Sequence, residues 1–313
     1  MRKIVGIDIG GTNVRAALAD ERGRLLHVLY RRTDPKNLIG QIFELVEEFS
    51  DYDGIGVSAG GPLDINRGTL LTPPNLDVAD MEIVRPIERR FGTKCYLLND
   101  CVAGVMAEKF FGAGRSHRNV VYLTFSTGIG GGVIVDNHLA LGKDGNAHEV
   151  GHFLFEPDSR VRCGCGAYGH WEAFCGGKNM PKYAKYLLRT LYRGKETRLR
   201  GARDLRAEDI FGAKGDRIAV DIARRVCMIS AIMVANVVNA YDPEVVSIGG
   251  SIMLNNRSLF LDAIGRYSRS YAINRMPKVM ATPLGHNVCL LGAVASVLHP
   301  DWIRRDSAPS QRA

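Results

Sequence analysis

The chain has 313 residues, 46% of them hydrophobic and 24% charged, with a formal net charge of +8, ordinary values for a globular protein with room for two domains or lobes. Its N-terminus enters a strand pattern without the apolar core and small-residue cleavage site of a signal peptide. No apolar run reaches the ~18 residues of a membrane span: the nearest, Ile218 to Ala240, is broken by Asp221, Arg224, Arg225 and Asn236. These features predict a cytoplasmic protein without a membrane partner.

Residues 3–9 read as a buried strand, Gly10-Gly11-Thr12-Asn13 as a turn, and residues 14–19 and 25–30 as further strands of a meander with a glycine tip. Residues 38–49 have helical periodicity, with Ile39, Ile42, Phe43, Leu45, Val46 and Phe49 on one side. A short strand over 54–59 ends in Gly60-Gly61-Pro62, and Thr72-Pro73-Pro74-Asn75 is expected to be an extended loop. A strand over 95–98 delivers Asn99 and Asp100 to the start of a small-residue helix that stops at Gly112. A second half begins near Asn119, with strands over 120–126 and 131–137 flanking the glycine turn that starts at Ser126. Helices are predicted over 177–195 and 218–240, a strand over 244–248 ending in Gly249-Gly250-Ser251, and a closing helix over 290–298. Both halves open with a strand, glycine turn and strand, a weak internal repeat. The polar tail from Arg304 to Ala313 is expected to be loosely ordered.

The seven cysteines form no dense disulfide framework and are expected to be reduced. Basic residues are spread thinly. The richest stretch, 189–206, also carries Glu196 and Asp204 and reads as a solvated face, not a nucleic-acid surface.

Three constellations carry chemistry. The first is the set of glycine turns at Asp8-Ile9-Gly10-Gly11-Thr12-Asn13, Ser126-Thr127-Gly128-Ile129-Gly130-Gly131-Gly132 and Ile248-Gly249-Gly250-Ser251. Glycine lets backbone N–H groups approach a phosphate, and the Thr12 and Thr127 hydroxyls add donors. Two such hairpins facing each other would grip the β- and γ-phosphates of ATP, with Asp8 towards Mg²⁺. Neither the P-loop nor the dinucleotide-binding pattern is present. The second constellation is Asn99-Asp100. A sugar hydroxyl needs a carboxylate to take its proton, although an Asp there equally well caps the following helix. The third is Glu149-Val150-Gly151-His152 followed by Cys163-Gly164-Cys165 and Gly169-His170-Trp171-Glu172. Two cysteines and two histidines, His152, Cys163, Cys165 and His170, match a closed structural zinc site. The metal would make Glu149 and Glu172 project to one place, as a glycosidase pair or as acceptors for sugar hydroxyls.

Together these motifs resemble the ROK family of repressors, open reading frames and sugar kinases, and specifically its glucokinase-like members. The resemblance runs from Ile4 to about Leu298 through DIGGTN at 8–13, GGP at 60–62, PPNL at 73–76, LLND at 97–100, STGIGGG at 126–132, EVGH at 149–152, CGCGAYGHWE at 163–172 and IGGS at 248–251. It implies an α/β, two-lobed, actin-like ATPase fold of hexokinase (ribonuclease H-like) type with an interlobe active-site cleft. The lobes are expected at 1–116 plus about 290–313, and at 117–289 with the zinc loop, the closing helix packing back on the first. It implies Asp100 as catalytic base and Gly61, Asn75, Asn99, Asp100, Glu149, His152 and Glu172 around a hexose, His152 serving both sugar and zinc. Gly10, Gly11, Thr12, Asn13, Thr127, Gly128, Gly249, Gly250 and Ser251 would contact ATP. A homodimer or a dimer of dimers is expected.

This chain departs from the family's pattern at His170, where a third zinc cysteine is usual, at Ser126, and at His148, where a small residue is common. A repressor would carry a DNA-binding module ahead of the first glycine turn, for which the seven residues before Asp8 leave no room. A glycosidase would leave the three glycine turns without purpose. A sugar sensor without chemistry is disfavoured by Asp100 and those glycines. Glucose is the first choice of substrate, mannose the second, and N-acetylmannosamine the main rival.

Overall fold

The computed structural model describes residues 1–73 and 76–303; Asn75 and the tail from Arg304 lie outside the described residues. In chain order the first elements are strands β1 (Lys3–Ile9), β2 (Asn13–Asp20) and β3 (Leu25–Arg32), helix α1 (Leu38–Glu47), and strand β4 (Ile55–Ala59). Three two-residue strands follow, β5 (Leu63–Asp64), β6 (Thr69–Leu70) and β7 (Met81–Glu82), then helix α2 (Val84–Phe91), strand β8 (Cys95–Asn99) and helix α3 (Asp100–Phe110). The middle of the chain holds strands β9 (Val120–Phe125), β10 (Ile129–Val135) and β11 (His138–Leu139) and helices α4 (Trp171–Cys175), α5 (Met180–Arg189), α6 (Ala207–Gly212) and α7 (Arg217–Tyr241). Strand β12 (Val245–Gly249), helices α8 (Ser251–Asn255) and α9 (Arg257–Tyr267), strand β13 (Lys278–Ala281) and helix α10 (Val288–Leu298) complete it.

These elements form two compact units. The first comprises Met1–Phe111, Asp136–Ala147 and the described chain from Asn287; the second comprises Gly112–Val135 and His148–His286. Residues 136–147, which the sequence reading places in the C-terminal lobe, pack with the first unit. The Asn146 amide brackets Leu63, its Oδ1 accepting from the Leu63 N–H at 3.0 Å and its Nδ2 donating to the Leu63 carbonyl at 2.6 Å.

In the first unit the sheet order is β3-β2-β1-β4-β8, with β1, β4 and β8 parallel and β2 and β3 antiparallel. Strand β1 is apolar on both sides because both sides are covered. Val5, Ile7 and Ile9 join the cluster that holds Ile42, Leu45 and Val46 of α1, whereas Ile4 meets Val294 and Val297 of α10. Helix α10 also lies against α3 so closely that a Cβ on Gly292 would stand 1.9 Å from the Ala103 carbonyl oxygen.

In the second unit β10, β9, β12 and β13 stand in that order, β10 antiparallel to β9 and the others parallel. The long helix α7 is mostly buried, and its N-terminus is capped by Asp216, which accepts from the N–H groups of Ile218 and Ala219. The helix expected over 177–195 is shorter. Pro181, with a ring that favours the first helical turn, stands at the start of α5, and Thr190 (φ −105°, ψ −83°) ends it. No helix among the described residues is long and apolar enough to cross a membrane.

Candidate active site

In the first unit the glycine turn links β1 to β2, and the hairpin register sets Asp8 directly opposite Arg15. The Arg15 Nε and Nη2 atoms donate to Asp8 Oδ2 at 3.1 and 2.5 Å, with both side chains more than four-fifths buried. Burial opposes the Arg15 charge, but the carboxylate outweighs it and raises the guanidinium further. The turn itself is held from outside: the Thr33 hydroxyl donates to the Gly10 carbonyl at 2.6 Å and the Thr33 N–H to the Thr12 carbonyl at 2.9 Å. Gly11, Thr12 and Asn13 are left exposed.

Asn99 closes β8 and caps α3. Its Oδ1 accepts from the Cys101 N–H at 2.9 Å, and Asp100 Oδ1 accepts from the same N–H at 2.8 Å. The cap is thus supplied by Asn99, and Asp100 occupies the first helical position, half-buried, where the positive helix end favours a carboxylate. Gly61 lies beside Asn99: a Cβ there would come within 3.0 Å of the Asn99 amide nitrogen.

In the second unit the turn from Ser126 joins β9 to β10, with Thr127 exposed. Glu172, on α4, supports it: Oε2 accepts from the Ile129 N–H at 2.9 Å. The approach is tight enough to require glycine at 128, since a Cβ there would stand 2.4 Å from that oxygen. Gly249 and Gly250 (φ +88°) lead into α8, and Ser251 Oγ lies 3.3 Å from Ser126 Oγ. Beside these residues opens a cavity of about 340 Å³ lined by Ser126, Thr127, Ser251, Lys178, Arg206 and Glu208, with Leu205, Ala207 and Ile252 as apolar wall. Its size and mixed lining suit a small polar ligand with an apolar face.

His152, Cys163, Cys165 and His170 each present a ligand atom, and all four atoms lie within 4.8 Å of one another. Cys165 Sγ is 3.4 Å from His170 Nδ1. The Cys163 thiol and then the Glu149 carboxylate raise the His152 imidazole to about 11 against burial. His152 Nδ1 is buried and lies 3.4 Å from Glu149 Oε2, an ion-pair contact without hydrogen-bond geometry. Two sulfurs and two imidazole nitrogens in one cluster fit a tetrahedral zinc ion, with Glu149 behind the His152 ring as outer support. Glu172 joins the cluster to the glycine turn, its Oε1 lying 3.7 Å from Cys163 Sγ and 3.5 Å from Asn179 Nδ2.

The sequence reading missed several of these residues. Arg15 was accessible from hairpin register, since strands over 3–9 and 14–19 joined by the four residues Gly10–Asn13 pair Ile9 with Val14 and so set residue 15 opposite residue 8. Lys178, Arg206 and Glu208 carried no signal, because the loop before α5 and the start of α6 meet at the cavity only in the folded chain.

The chain belongs to the ROK family, whose model matches residues 4–299. It is 37% identical over 298 residues to a glucokinase of Pyrobaculum calidifontis, covering 94% of this chain and 95% of that one. The fold is that of a ROK family glucokinase from Streptomyces griseus solved with glucose and AMPPNP (TM-score 0.77, 31% identity, 93% of this chain and 97% of the other). It is equally that of a ROK hexokinase from Thermus thermophilus (TM-score 0.80, 30% identity, 96% and 99%). The two-lobed actin-like architecture follows from this kinship.

Proposed function

We propose that this chain is an ATP-dependent hexose kinase that transfers the γ-phosphoryl group to a sugar 6-hydroxyl in the cytoplasm. The observation that carries the reading is whole-length kinship with glucokinases and a hexokinase, one of them solved with glucose and an ATP analogue. Asp100 takes the hydroxyl proton as the phosphoryl group arrives. Its placement supports that role: the cap of α3 is already provided by Asn99. Asn99, Glu149, His152 and Glu172 serve as hydrogen-bonding partners of the sugar, with the Gly61 backbone and Asn75.

The turn Gly10-Gly11-Thr12-Asn13, closed by the Gly10 N–H donating to the Asn13 carbonyl at 3.0 Å, offers its remaining N–H and hydroxyl donors to the terminal phosphates of ATP, as do Thr127 and Gly128. Ser251 lines the cavity that suits the nucleoside, and Gly249 and Gly250, which precede it, are the backbone offered to the nucleotide. Asp8 is the carboxylate to orient Mg²⁺, which neutralises charge on the phosphate oxygens when bound. His152, Cys163, Cys165 and His170 are the residues to hold a structural zinc ion, which would pin the loop carrying Glu149 and Glu172. Glucose is the preferred substrate, mannose the second and N-acetylmannosamine the rival, and the active form is a homodimer or a dimer of dimers.

The test is ADP release from Mg·ATP over glucose, mannose, fructose, N-acetylmannosamine and N-acetylglucosamine. Turnover with glucose or a close relative is expected. Silence across the panel from folded, zinc-loaded protein would remove the kinase reading.

A further inference from the structure

Glu149 sits in a turn whose backbone is strained one residue earlier. His148 has φ +68°, in the left-handed region that side chains other than glycine enter at a cost. Its carbonyl accepts from the Val150 N–H at 2.6 Å, and the Glu149 carbonyl accepts from the His152 N–H at 3.0 Å, so the chain folds tightly around Glu149. The His148 ring runs to the C-terminal end of α7. There Nδ1 lies 3.1 Å from the Tyr241 hydroxyl, and the two rings meet edge-on with centroids 5.2 Å apart at 81°. Burial pushes the Tyr241 phenol up, so it stays protonated and able to donate at neutral pH. Backbone strain persists only where the surroundings enforce it, and it gathers at sites where geometry matters.

We propose that His148 and Tyr241 form a positioning clamp that fixes the Glu149 turn and so sets this chain's affinity for, and choice among, hexoses. The proposal rests on the reading of Glu149 as a sugar ligand. Neither clamp residue touches the sugar; the pair acts through the turn, and a ligand carboxylate displaced by a fraction of an ångström loses much of its worth.

The test measures sugar Kd by calorimetry, and kcat and KM for glucose, mannose and ATP, in Tyr241→Phe, His148→Gly and His148→Asn. Glycine relieves the strain while deleting the ring, so His148→Gly is expected to fold. Tyr241→Phe and His148→Gly should raise sugar Kd and KM about five- to tenfold and shift the glucose-to-mannose ratio of kcat/KM, with ATP KM and kcat within about twofold. His148→Asn tolerates the left-handed backbone and sets a polar atom near the place of Nδ1; it should return to within about threefold of the parent. Sugar constants within about twofold of the parent in both Tyr241→Phe and His148→Gly would overturn the clamp. So would an equal loss in the sugar and ATP constants, which marks a general structural role. A parent protein that binds sugar without turnover would sink the kinase reading while Kd still decides the clamp; one that binds no hexose sinks both.

Discussion

Asp100 and Glu172 are both carboxylates beside backbone N–H groups, and their surroundings separate their roles. Glu172 gives Oε2 to Ile129 and stands near Cys163 and Asn179 through Oε1, so much of its hydrogen-bonding capacity is spent inside the protein. Asp100 shares the Cys101 N–H with Asn99, which makes it dispensable as a cap. Asp100→Asn is therefore expected to keep the fold and sugar binding and to lose about 10²–10⁴-fold in kcat, read from steady-state rates alongside calorimetric sugar titration. An active Asp100→Asn would take the base role away from it. At the Cys/His loop, if zinc is held there, Cys163→Ser should strip it from the purified protein, read by elemental analysis against the parent, and lower the melting temperature. A parent protein free of zinc would remove the ion from the account.

At the scale of elements, α3 and α10 are pressed together at Gly292. Replacing it with alanine would gain about 1 kcal/mol of helix propensity. The new Cβ, however, would stand 1.9 Å from a carbonyl oxygen that no rotamer change can move. Overpacking of that kind costs about 1–3 kcal/mol or more, so the clash wins and Gly292→Ala should melt a few degrees lower. An unchanged melting curve would show that the helices part easily. Which elements could be read from the chain follows from the same packing. Strand β1 is buried on both sides and helix α7 over most of its surface, and their apolar residues announce them. Strand β13, with no fully buried residue, has no counterpart in the sequence reading because its order comes from pairing with β12. The Asn146 bracket on Leu63 joins residues 83 positions apart, and no local pattern encodes it. In the candidate site the motif residues were legible because their types are chemically constrained. The His148 conformation was not, since a left-handed histidine has no signature in sequence.

For the whole molecule, a sugar and a nucleotide that bind only the folded chain stabilise it by mass action. At about 100 times Kd each adds ~2.7 kcal/mol, so Mg·ATP analogue and glucose together should raise the melting temperature by more than either alone. No shift with any hexose would count against the sugar site as a whole. The charge of +8 is compatible with anionic substrates, because electrostatic attraction speeds their arrival.

The interleaving of the two units also fixes an order of events during synthesis. Every segment of the second unit has been made once residue 286 is joined, whereas the first still awaits its last helix. Until residues 288–298 emerge, Gly6 of β1 and Gly56 of β4 present bare backbone where Val294 and Ala293 will lie. The portion of the protein made first is thus completed last, and a chain cut short before residue 288 would leave β1 and β4 without the cover of α10.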